Sequence, residues 1–280
     1  MALSRRSLLT AGAAAFSLPA WTRSRELKIG VTDWNLRLTA KVEAVETAAR
    51  LRFDGVQVSL GRKPVDGKLP LDDAVVQQQY LTASKIHKIP LDGTCLDILH
   101  VNYLKNDKLG AKWVADSIPI TKKLNARVIL LPFFGKGALT THEEMDYVGD
   151  VLREIAPEAE RAGVLLGLED TISAEDNVRI MDRAKSPAVL TYYDVGNSTE
   201  NGFNVVQEIR WLGKNRICQF HLKDNPHYLG EGKIDFPPVI KAIEDIGYRG
   251  FANLETSCPS NSVDDDMIRN LHFVRRLLSA

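Results

Sequence analysis

Four apolar stretches in the second half of the chain each end in a side chain that commonly binds metal ions. These side chains are Glu169, Asp194, His221 and Glu255. One carboxylate at such a position usually faces solvent or caps a helix, and one histidine usually makes ordinary hydrogen bonds. Four of them at equivalent places in successive stretches indicate a shared site. Because neighbouring carboxylates repel one another, a divalent cation is expected to hold them together.

The donor atoms of this group indicate which cation fits. Carboxylate oxygens with a single imidazole nitrogen favour Mn²⁺ or Mg²⁺, and Co²⁺ or Zn²⁺ are also compatible with them. The sequence therefore predicts one divalent ion and leaves its chemical identity open.

The residues two positions before these side chains support this interpretation, because residues two apart on a strand share a face. They are Gly167, Tyr192, Gln219 and Asn253. The intervening apolar residues are expected to face a layer of helices; they are Leu168, Phe220, Leu222 and Leu254. Polar groups are thus predicted beneath the ligands, where they would orient them. Lys223, two residues after His221, is expected at the rim of the same face, within reach of a substrate hydroxyl.

Strand-like stretches alternate with stretches of helical period eight times. The predicted strands are 27–33, 55–60, 90–96, 126–132, 164–169, 189–194, 217–222 and 251–256. The predicted helices are 41–52, 72–88, 108–124, 142–162, 174–185, 205–211, 236–246 and 263–278. Eight such units in about 255 residues predict an α/β fold, a single-domain (β/α)8 TIM barrel. TIM-barrel active sites lie at the C-terminal ends of the strands, where the four predicted ligands stand.

Residues 1–25 differ in composition from the rest of the chain. Arg5 and Arg6 precede a short, weakly apolar run rich in alanine, a layout typical of a bacterial twin-arginine export signal. We expect residues 1–25 to be this signal, residues 26–280 to form the barrel domain, and the protein to be exported to the periplasm. No later stretch of sequence is long and apolar enough to cross a membrane.

The charge balance argues against a nucleic-acid partner. The 36 basic and 36 acidic side chains give a formal net charge of zero, whereas nucleic-acid-binding proteins usually carry a basic excess. The three cysteines have no metal-ligand spacing and are expected to be free thiols. A homo-oligomer is compatible with this composition.

Five short segments carry a resemblance to a known family. They are residues 168–170 (LED), 193–197 (YDVGN), 220–224 (FHLKD), 229–236 (LGEGKIDF) and 254–255 (LE). Together they resemble the sugar isomerase/epimerase family, which has a xylose-isomerase-like TIM barrel, and the resemblance covers the whole chain after the signal. By analogy with ketose 3-epimerases of that family, it implies that the four predicted ligands hold the metal. It also implies that Glu169 and Glu255 form the acid/base pair.

The sequence departs from ketose 3-epimerases at two places. Those enzymes usually carry a histidine three residues after the strand-six aspartate, where this chain has Asn197. They commonly have an arginine shortly after the strand-seven histidine, whereas His227 and Lys233 are the only basic residues between Asp224 and Asp235 here. Both changes concern the substrate more than the metal.

The resemblance implies a divalent-metal-dependent isomerase or epimerase acting on a free ketose or related polyol. Such an enzyme moves a proton beside a carbonyl through an enediolate, using metal stabilisation and two positioned glutamates. A dehydratase or lyase of a keto-sugar or keto-inositol would use the same residues, and a non-catalytic, exported sugar-binding barrel is a further alternative. Phosphodiester cleavage at a metal cluster, as in endonuclease IV relatives, fits less well because the chain has only six histidines.

Residues just past other strand ends are expected to surround a small carbohydrate substrate. The expected lining residues are Trp34, Asp97, His100, Phe133, Phe134, Asn197, Lys223 and His227. No basic cluster or glycine-rich helix start indicates a phosphate-binding site. The sequence therefore favours a free sugar or polyol over a sugar phosphate.

Overall fold

The structure of the protein is a computed structural model that describes residues 27–279. The predicted export signal, residues 1–25, lies outside the described residues. Within residues 27–279, no helix combines the length and the apolar character needed for a membrane crossing.

Eight parallel strands form a closed barrel, which confirms the predicted fold class. The strands are β1 (Leu27–Thr32), β2 (Gly55–Ser59), β3 (Leu91–Cys95), β4 (Val128–Pro132), β5 (Leu165–Glu169), β6 (Val189–Asp194), β7 (Ile217–Leu222) and β8 (Gly250–Leu254). Each strand pairs with the next along the chain, and β8 pairs with β1 to close the ring. Side chains at the C-terminal strand ends therefore converge on one mouth.

Nine α-helices surround the barrel in the described part of the chain. They are α1 (Glu43–Arg50), α2 (Ala74–His87), α3 (Lys108–Lys123), α4 (His142–Ala162), α5 (Ala174–Ala184), α6 (Val195–Glu200), α7 (Val205–Leu212), α8 (Phe236–Asp245) and α9 (Val263–Leu277). Eight of them match the predicted helices within two residues at each end. The short helix α6 has no counterpart among the predictions. Two 3-10 turns, Asp97–His100 and Gly135–Gly137, also lie at the barrel mouth side, after β3 and β4.

Side-chain caps fix where several helices begin. The Asp73 carboxylate accepts hydrogen bonds from the backbone amides of Val75 and Val76 at 2.8 and 3.0 Å, so α2 starts after Asp73. Ser173 caps α5 in the same way through the amide of Asp176. These oxygens satisfy amides that have no partner inside the helix. At the end of α4, Gly163 takes a left-handed conformation with φ of 73°, which glycine adopts without strain.

Most of the apolar core lies between the strands and the surrounding helices. The four predicted outward-facing residues Leu168, Phe220, Leu222 and Leu254 are all fully buried there. Strand alternation thus separates an apolar outer face from an inner face that is free to carry polar groups.

The barrel interior contains a network of buried polar side chains. Asp92 Oδ1 accepts hydrogen bonds from Gln219 Nε2 at 3.1 Å and from Asn253 Nδ2 at 2.9 Å. Gln57 Oε1 accepts from Tyr192 Oη at 3.1 Å and from Asn253 Nδ2 at 3.3 Å. A side chain at Gly30 would collide with Asn253 and Asp92, so glycine is required on that strand. This network lies directly beneath the strand ends.

Candidate metal centre and substrate cavity

The four predicted ligands meet at the C-terminal mouth of the barrel. One donor atom from each of Glu169, Asp194, His221 and Glu255 can be chosen so that all four lie within 4.8 Å of one another. His221 Nδ1 lies 2.7 Å from Glu169 Oε1, 3.6 Å from Asp194 Oδ2 and 3.5 Å from Glu255 Oε2. Ligands about 2.0–2.6 Å from a shared ion span this range, so the spacing suits a single cation.

Strand register and helix capping aim these atoms at one centre. Asp194 and His221 are direct neighbours across the β6–β7 pair. Asp194 Oδ1 caps α6 by accepting from the amide of Asn197 at 2.8 Å, which turns the other oxygen inward. That oxygen, Oδ2, is buried and makes no regular hydrogen bond within the described residues, although Lys223 Nζ lies 2.9 Å away. A buried carboxylate oxygen of this kind fits a cation ligand.

The interior network sets the orientation of His221. The ring nitrogen Nε2 lies 2.9 Å from Gln57 Oε1, which is an acceptor only, so Nε2 carries the hydrogen and donates it. The other ring nitrogen, Nδ1, faces the carboxylates, holds a proton toward Glu169 in the metal-free protein, and would present its lone pair to a bound cation. This is the usual way in which a protein fixes the tautomer of a metal-binding histidine.

The charges in this centre shift the pKa of its members strongly. Burial raises the pKa of Glu169 to about 7. Burial alone would lower the pKa of His221, but the charges of Glu169 and Glu255 outweigh it and raise that pKa to about 10. Burial would raise the pKa of Asp194, but the cation of Lys223 and the contact with His221 hold it well below its usual range. Two buried carboxylates and the partly buried Glu255 thus require positive charge at this point, which a divalent cation would supply.

Lys223 contacts two of the candidate ligands. Its ammonium lies 2.8 Å from Glu255 Oε2 and 2.9 Å from Asp194 Oδ2, and its side chain is 14% exposed. Burial would lower the pKa of Lys223, but Asp194 and Glu255 raise it above its usual value. The other oxygen of Glu255 accepts from the Trp34 indole N–H at 2.9 Å. Glu255 is therefore held by two donors on the open side of the centre.

A cavity of about 570 Å³ opens above the four ligands. Its lining residues are Trp34, Thr39, Ser59, Arg62, Cys95, Asp97, His100, Leu130, Pro132, Phe134, Glu169, Asn197, Lys223 and Glu255. This volume is within the range of about 300–1,000 Å³ that is common for small-molecule sites. Six of the eight expected lining residues thus lie on this cavity.

Two expected lining residues lie elsewhere. Phe133 is 1% exposed and packs in the core between barrel and helices. Leu130, Pro132 and Phe134 line the cavity instead, because alternation along β4 turns every second residue inward and Phe133 falls on the outer face. His227 lies beside a neighbouring cavity of about 430 Å³, together with Lys233.

The loop between β7 and α8 is braced by one carboxylate. Asp224 accepts hydrogen bonds from four backbone amides, those of Gly230, Gly232, Lys233 and Ile234, at 2.9 to 3.3 Å. A side chain at Gly232 would collide with Asp224, so this approach requires glycine. The glycine-containing segment noted in the sequence is thus fastened beside the metal centre.

Several polar residues of the site come from the first half of the chain, for which the sequence predicted few. Gln57 and Asp92 stand in the middle and at the start of short strands reading GVQVS and LDGTC. A polar residue inside such a strand is the signal that marks them. Ser59 and Arg62 follow β2 and line the cavity.

The barrel and its four convergent side chains are consistent with one class of protein. Residues 45–277 match the family described as Xylose isomerase-like TIM barrel. This match covers most of the chain, and the protein belongs to that family.

Comparison with individual proteins gives more distant similarities. An uncharacterised protein of Methanocaldococcus jannaschii, MJ1311, is 26% identical over 167 residues; the match covers 53% of this chain and 57% of that protein. The chain thus spans little more than half the length of this curated relative.

Solved structures share the fold at low identity. D-psicose 3-epimerase from Clostridium cellulolyticum H10, determined with D-tagatose, has a TM-score of 0.74 at 18% identity, covering 90% of this chain and 99% of that chain. The IolI protein with a bound zinc atom has a TM-score of 0.71 at 16% identity, covering 90% and 98%.

Proposed function

We propose that this protein is a divalent-metal-dependent sugar isomerase or epimerase acting on a free ketose or related polyol. The observation that carries the proposal is the convergence of Glu169, Asp194, His221 and Glu255 beside a cavity of about 570 Å³, which Glu169 and Glu255 line. The family match and the sugar bound to the related D-psicose 3-epimerase support the same class of reaction.

The chain's own residues would divide the work between holding the metal and moving the proton. All four would bind the ion, and Glu169, at the end of β5, and Glu255, directly after β8, would exchange a proton with the carbon beside the substrate carbonyl. The chemistry that a bound divalent ion supplies is Lewis-acid polarisation of that carbonyl and stabilisation of the developing negative charge. Hydrogen bonds from Trp34 and Lys223 hold the Glu255 carboxylate in position for this proton transfer.

The charge of the site favours an uncharged substrate. With His221 neutral, Lys223 and a divalent ion together balance the three carboxylates of the centre. A phosphate or carboxylate on the substrate would then add net charge to the cavity. We favour Mn²⁺ or Mg²⁺ because most of the donor atoms are oxygens. Zn²⁺ must also be tested, since the IolI structure contains a zinc atom.

Exchange of substrate protons with solvent tests the proposal. The protein loaded with Mn²⁺, Mg²⁺, Co²⁺ or Zn²⁺ is incubated with a panel of ketoses in D₂O, and products are analysed by NMR and mass spectrometry. Deuterium at the carbon beside the carbonyl, without loss of water, is the expected result. Loss of water would establish the dehydratase alternative, and neither change with any ketose would contradict catalysis on these sugars.

A substitution at Glu255 separates catalysis from metal binding. Glu255→Gln keeps an oxygen atom that can bind the metal, but its amide cannot accept the substrate proton. The variant should therefore retain metal and lose at least about 100-fold in exchange rate. His221→Ala is the matched comparison, because it should lose the metal as well. Full exchange activity in Glu255→Gln would remove that residue from the acid/base role.

We also propose that residues 1–25 direct export to the periplasm, supported by the paired Arg5 and Arg6 ahead of an apolar run. Replacing both arginines with lysine should leave the protein in the cytoplasmic fraction of a bacterial host. Equal amounts of both forms in the periplasmic fraction would contradict the twin-arginine assignment.

A further inference from the structure

A second polar group faces the metal centre from across the cavity. It consists of Ser59, Arg62, Asp97 and His100, which follow strands β2 and β3, and we call it the β2–β3 wall. In a closed ring of eight strands, β2 and β3 stand opposite β6 and β7, which carry Asp194 and His221. A substrate that reaches both sides must therefore span the mouth of the barrel.

Asp97 is held firmly in this wall. Ser59 Oγ donates to Asp97 Oδ2, and Cys95 Sγ lies 3.7 Å from Asp97 Oδ1. The backbone amide of Ser59 donates to Asp33 Oδ2 at 2.9 Å, which fixes the end of β2. Because its supports are themselves anchored, Asp97 presents an acceptor to the cavity in a defined position.

Arg62 and His100 offer hydrogen-bonding groups that the described residues do not use. Within residues 27–279, neither side chain makes a hydrogen bond or an ion pair with another residue. Both side chains line the cavity. The His100 ring stacks on Phe134 with ring centres 6.2 Å apart, which holds the imidazole against the wall. Burial, and then the charge of Arg62, lowers the pKa of His100, so the ring is neutral and has one donor and one acceptor.

The charges of the wall nearly cancel. Burial raises the pKa of Asp97, while the hydrogen bond from Ser59 and the nearby charges of Arg62 and His100 oppose that rise. A carboxylate beside a guanidinium provides an acceptor and several donors but no net charge. This combination suits neighbouring hydroxyl groups and does not suit a phosphate or carboxylate, which would meet Asp97.

We propose that the β2–β3 wall is a subsite for the hydroxyl groups at the end of the substrate remote from its reacting carbonyl, with Asp97 accepting and Arg62 donating hydrogen bonds. The inference rests on the proposed function and adds to it the residues that recognise the distal hydroxyl groups of the substrate. The substrate is an uncharged polyhydroxylated chain, long enough to reach across the cavity from the metal centre. Asp97 and Arg62 are positioning and specificity residues, since they stand apart from the reacting carbon.

Chain length of the substrate provides the test. Solvent deuterium exchange is measured on metal-loaded wild type, Asp97→Ala and Arg62→Gln with a ketohexose and with dihydroxyacetone, which has no distal hydroxyls. Each variant should lose about 10- to 100-fold in kcat/KM for the ketohexose, mainly through KM, because it loses hydrogen bonds involving a charged group. Exchange on dihydroxyacetone should stay within about twofold of wild type. Equal losses on both substrates, or no loss on either, would overturn the proposal.

Matched variants control for folding and for general charge. Lys63→Gln removes an exposed positive charge next to Arg62 that does not line the cavity, and it should match wild type on both substrates. Asp97→Asn preserves side-chain shape and serves if Asp97→Ala does not fold. In Asp97→Asn no carboxylate balances the charge of Arg62, so the affinity for gluconate relative to sorbitol should rise by at least about tenfold. An unchanged affinity ratio would contradict the charge balance between Asp97 and Arg62.

Calorimetric titration with sorbitol distinguishes failure of this inference from failure of the proposed function. Sorbitol has the distal hydroxyls but no carbonyl, so its binding needs no catalysis. Binding that weakens at least tenfold in Asp97→Ala supports the subsite even if no ketose exchanges deuterium. Binding that is equal in wild type and Asp97→Ala overturns the subsite even if exchange occurs.

Discussion

At the scale of single residues, the centre depends on neighbours that do not themselves contact a cation. Gln57 is fully buried, lies inside the barrel and receives the N–H of His221, so it decides which ring nitrogen faces the carboxylates. Lys223 acts differently, because its ammonium contacts two of the carboxylates that would also bind the ion. The two residues should therefore have opposite effects on metal affinity.

Gln57→Leu should weaken Mn²⁺ binding by about 10- to 100-fold, because it removes the acceptor that orients His221. Chelator-competition titration measures the affinity, and circular dichroism checks that the variant folds. Gln78→Leu, at an exposed position of α2, is the control and should bind like wild type. Unaltered affinity in Gln57→Leu would show that His221 needs no such support.

Lys223→Met should bind Mn²⁺ about tenfold more tightly than wild type, because a positive charge next to two of the ligands no longer repels the ion. Lys233→Met removes the same charge from an exposed loop position and should leave affinity unchanged. The same titration compares the two. Weaker binding in Lys223→Met would mean that the lysine mainly positions the carboxylates.

At the scale of elements, the β7–α8 loop depends on a single side chain. Asp224 is 4% exposed and accepts from four amides, so its loss would leave four backbone donors, one of them buried, without this partner. We expect Asp224→Ala to lower the free energy of unfolding by about 2–4 kcal/mol.

Urea unfolding of the metal-free protein measures this change. Asp235→Ala is the matched control, since Asp235 precedes α8 in the same loop but makes no side-chain cap hydrogen bond. It should differ from wild type by less than about 0.5 kcal/mol. A comparable loss in both variants would contradict the bracing role of Asp224.

Element boundaries show which parts of the secondary structure the sequence pattern predicts. Strands and long helices follow hydrophobic period, and their positions were predicted closely. Helix α6 has only six residues, too few to display a helical period, and it exists because Asp194 caps it. Of the two phenylalanines expected on the cavity, Phe134 lies there and Phe133 does not, because alternation along β4 places Phe133 on the outer face.

At the scale of the whole molecule, the barrel holds a carboxyl group that prefers its protonated form. Burial raises the pKa of Asp92 to about 7, although hydrogen bonds from Asn253 and Gln219 oppose the rise. In the unfolded chain the pKa is about 3.9. The folded protein therefore keeps a proton that the unfolded chain releases, and the stability this provides is complete below about pH 4 and is lost as the pH rises to about 7.

Asp92→Asn should flatten the decline of stability between about pH 4 and 7, by up to about 4 kcal/mol over that interval, because an amide does not titrate. Urea unfolding at several pH values, with chelator present, gives the slope. Asp182→Asn, at an exposed position of α5, should keep the wild-type slope. Parallel curves for wild type and Asp92→Asn would contradict a protonated Asp92.

The sequence predicted the barrel and the four convergent side chains because both follow from local patterns at strand ends. The sequence also predicts Asp97 and His100 of the β2–β3 wall as lining residues, but it does not predict Gln57, Asp92, Ser59 or Arg62. A polar residue inside a short strand marks Gln57 and Asp92 as unusual, but what they contact depends on which strands face each other across the ring, and a window of neighbouring residues does not show that. In the sequence, nothing distinguishes Arg62 from an ordinary exposed loop arginine.

Glu255 directly follows the last strand, and the pairing of that strand with β1 joins the two ends of the barrel. During synthesis, three of the ligands are added to the chain before the fourth exists, and the Trp34 indole lacks its acceptor until more than two hundred further residues have been added. Tight capture of the ion must then follow completion of the ring. Occupancy by metal would consequently report that synthesis has passed Glu255 and that the barrel has closed.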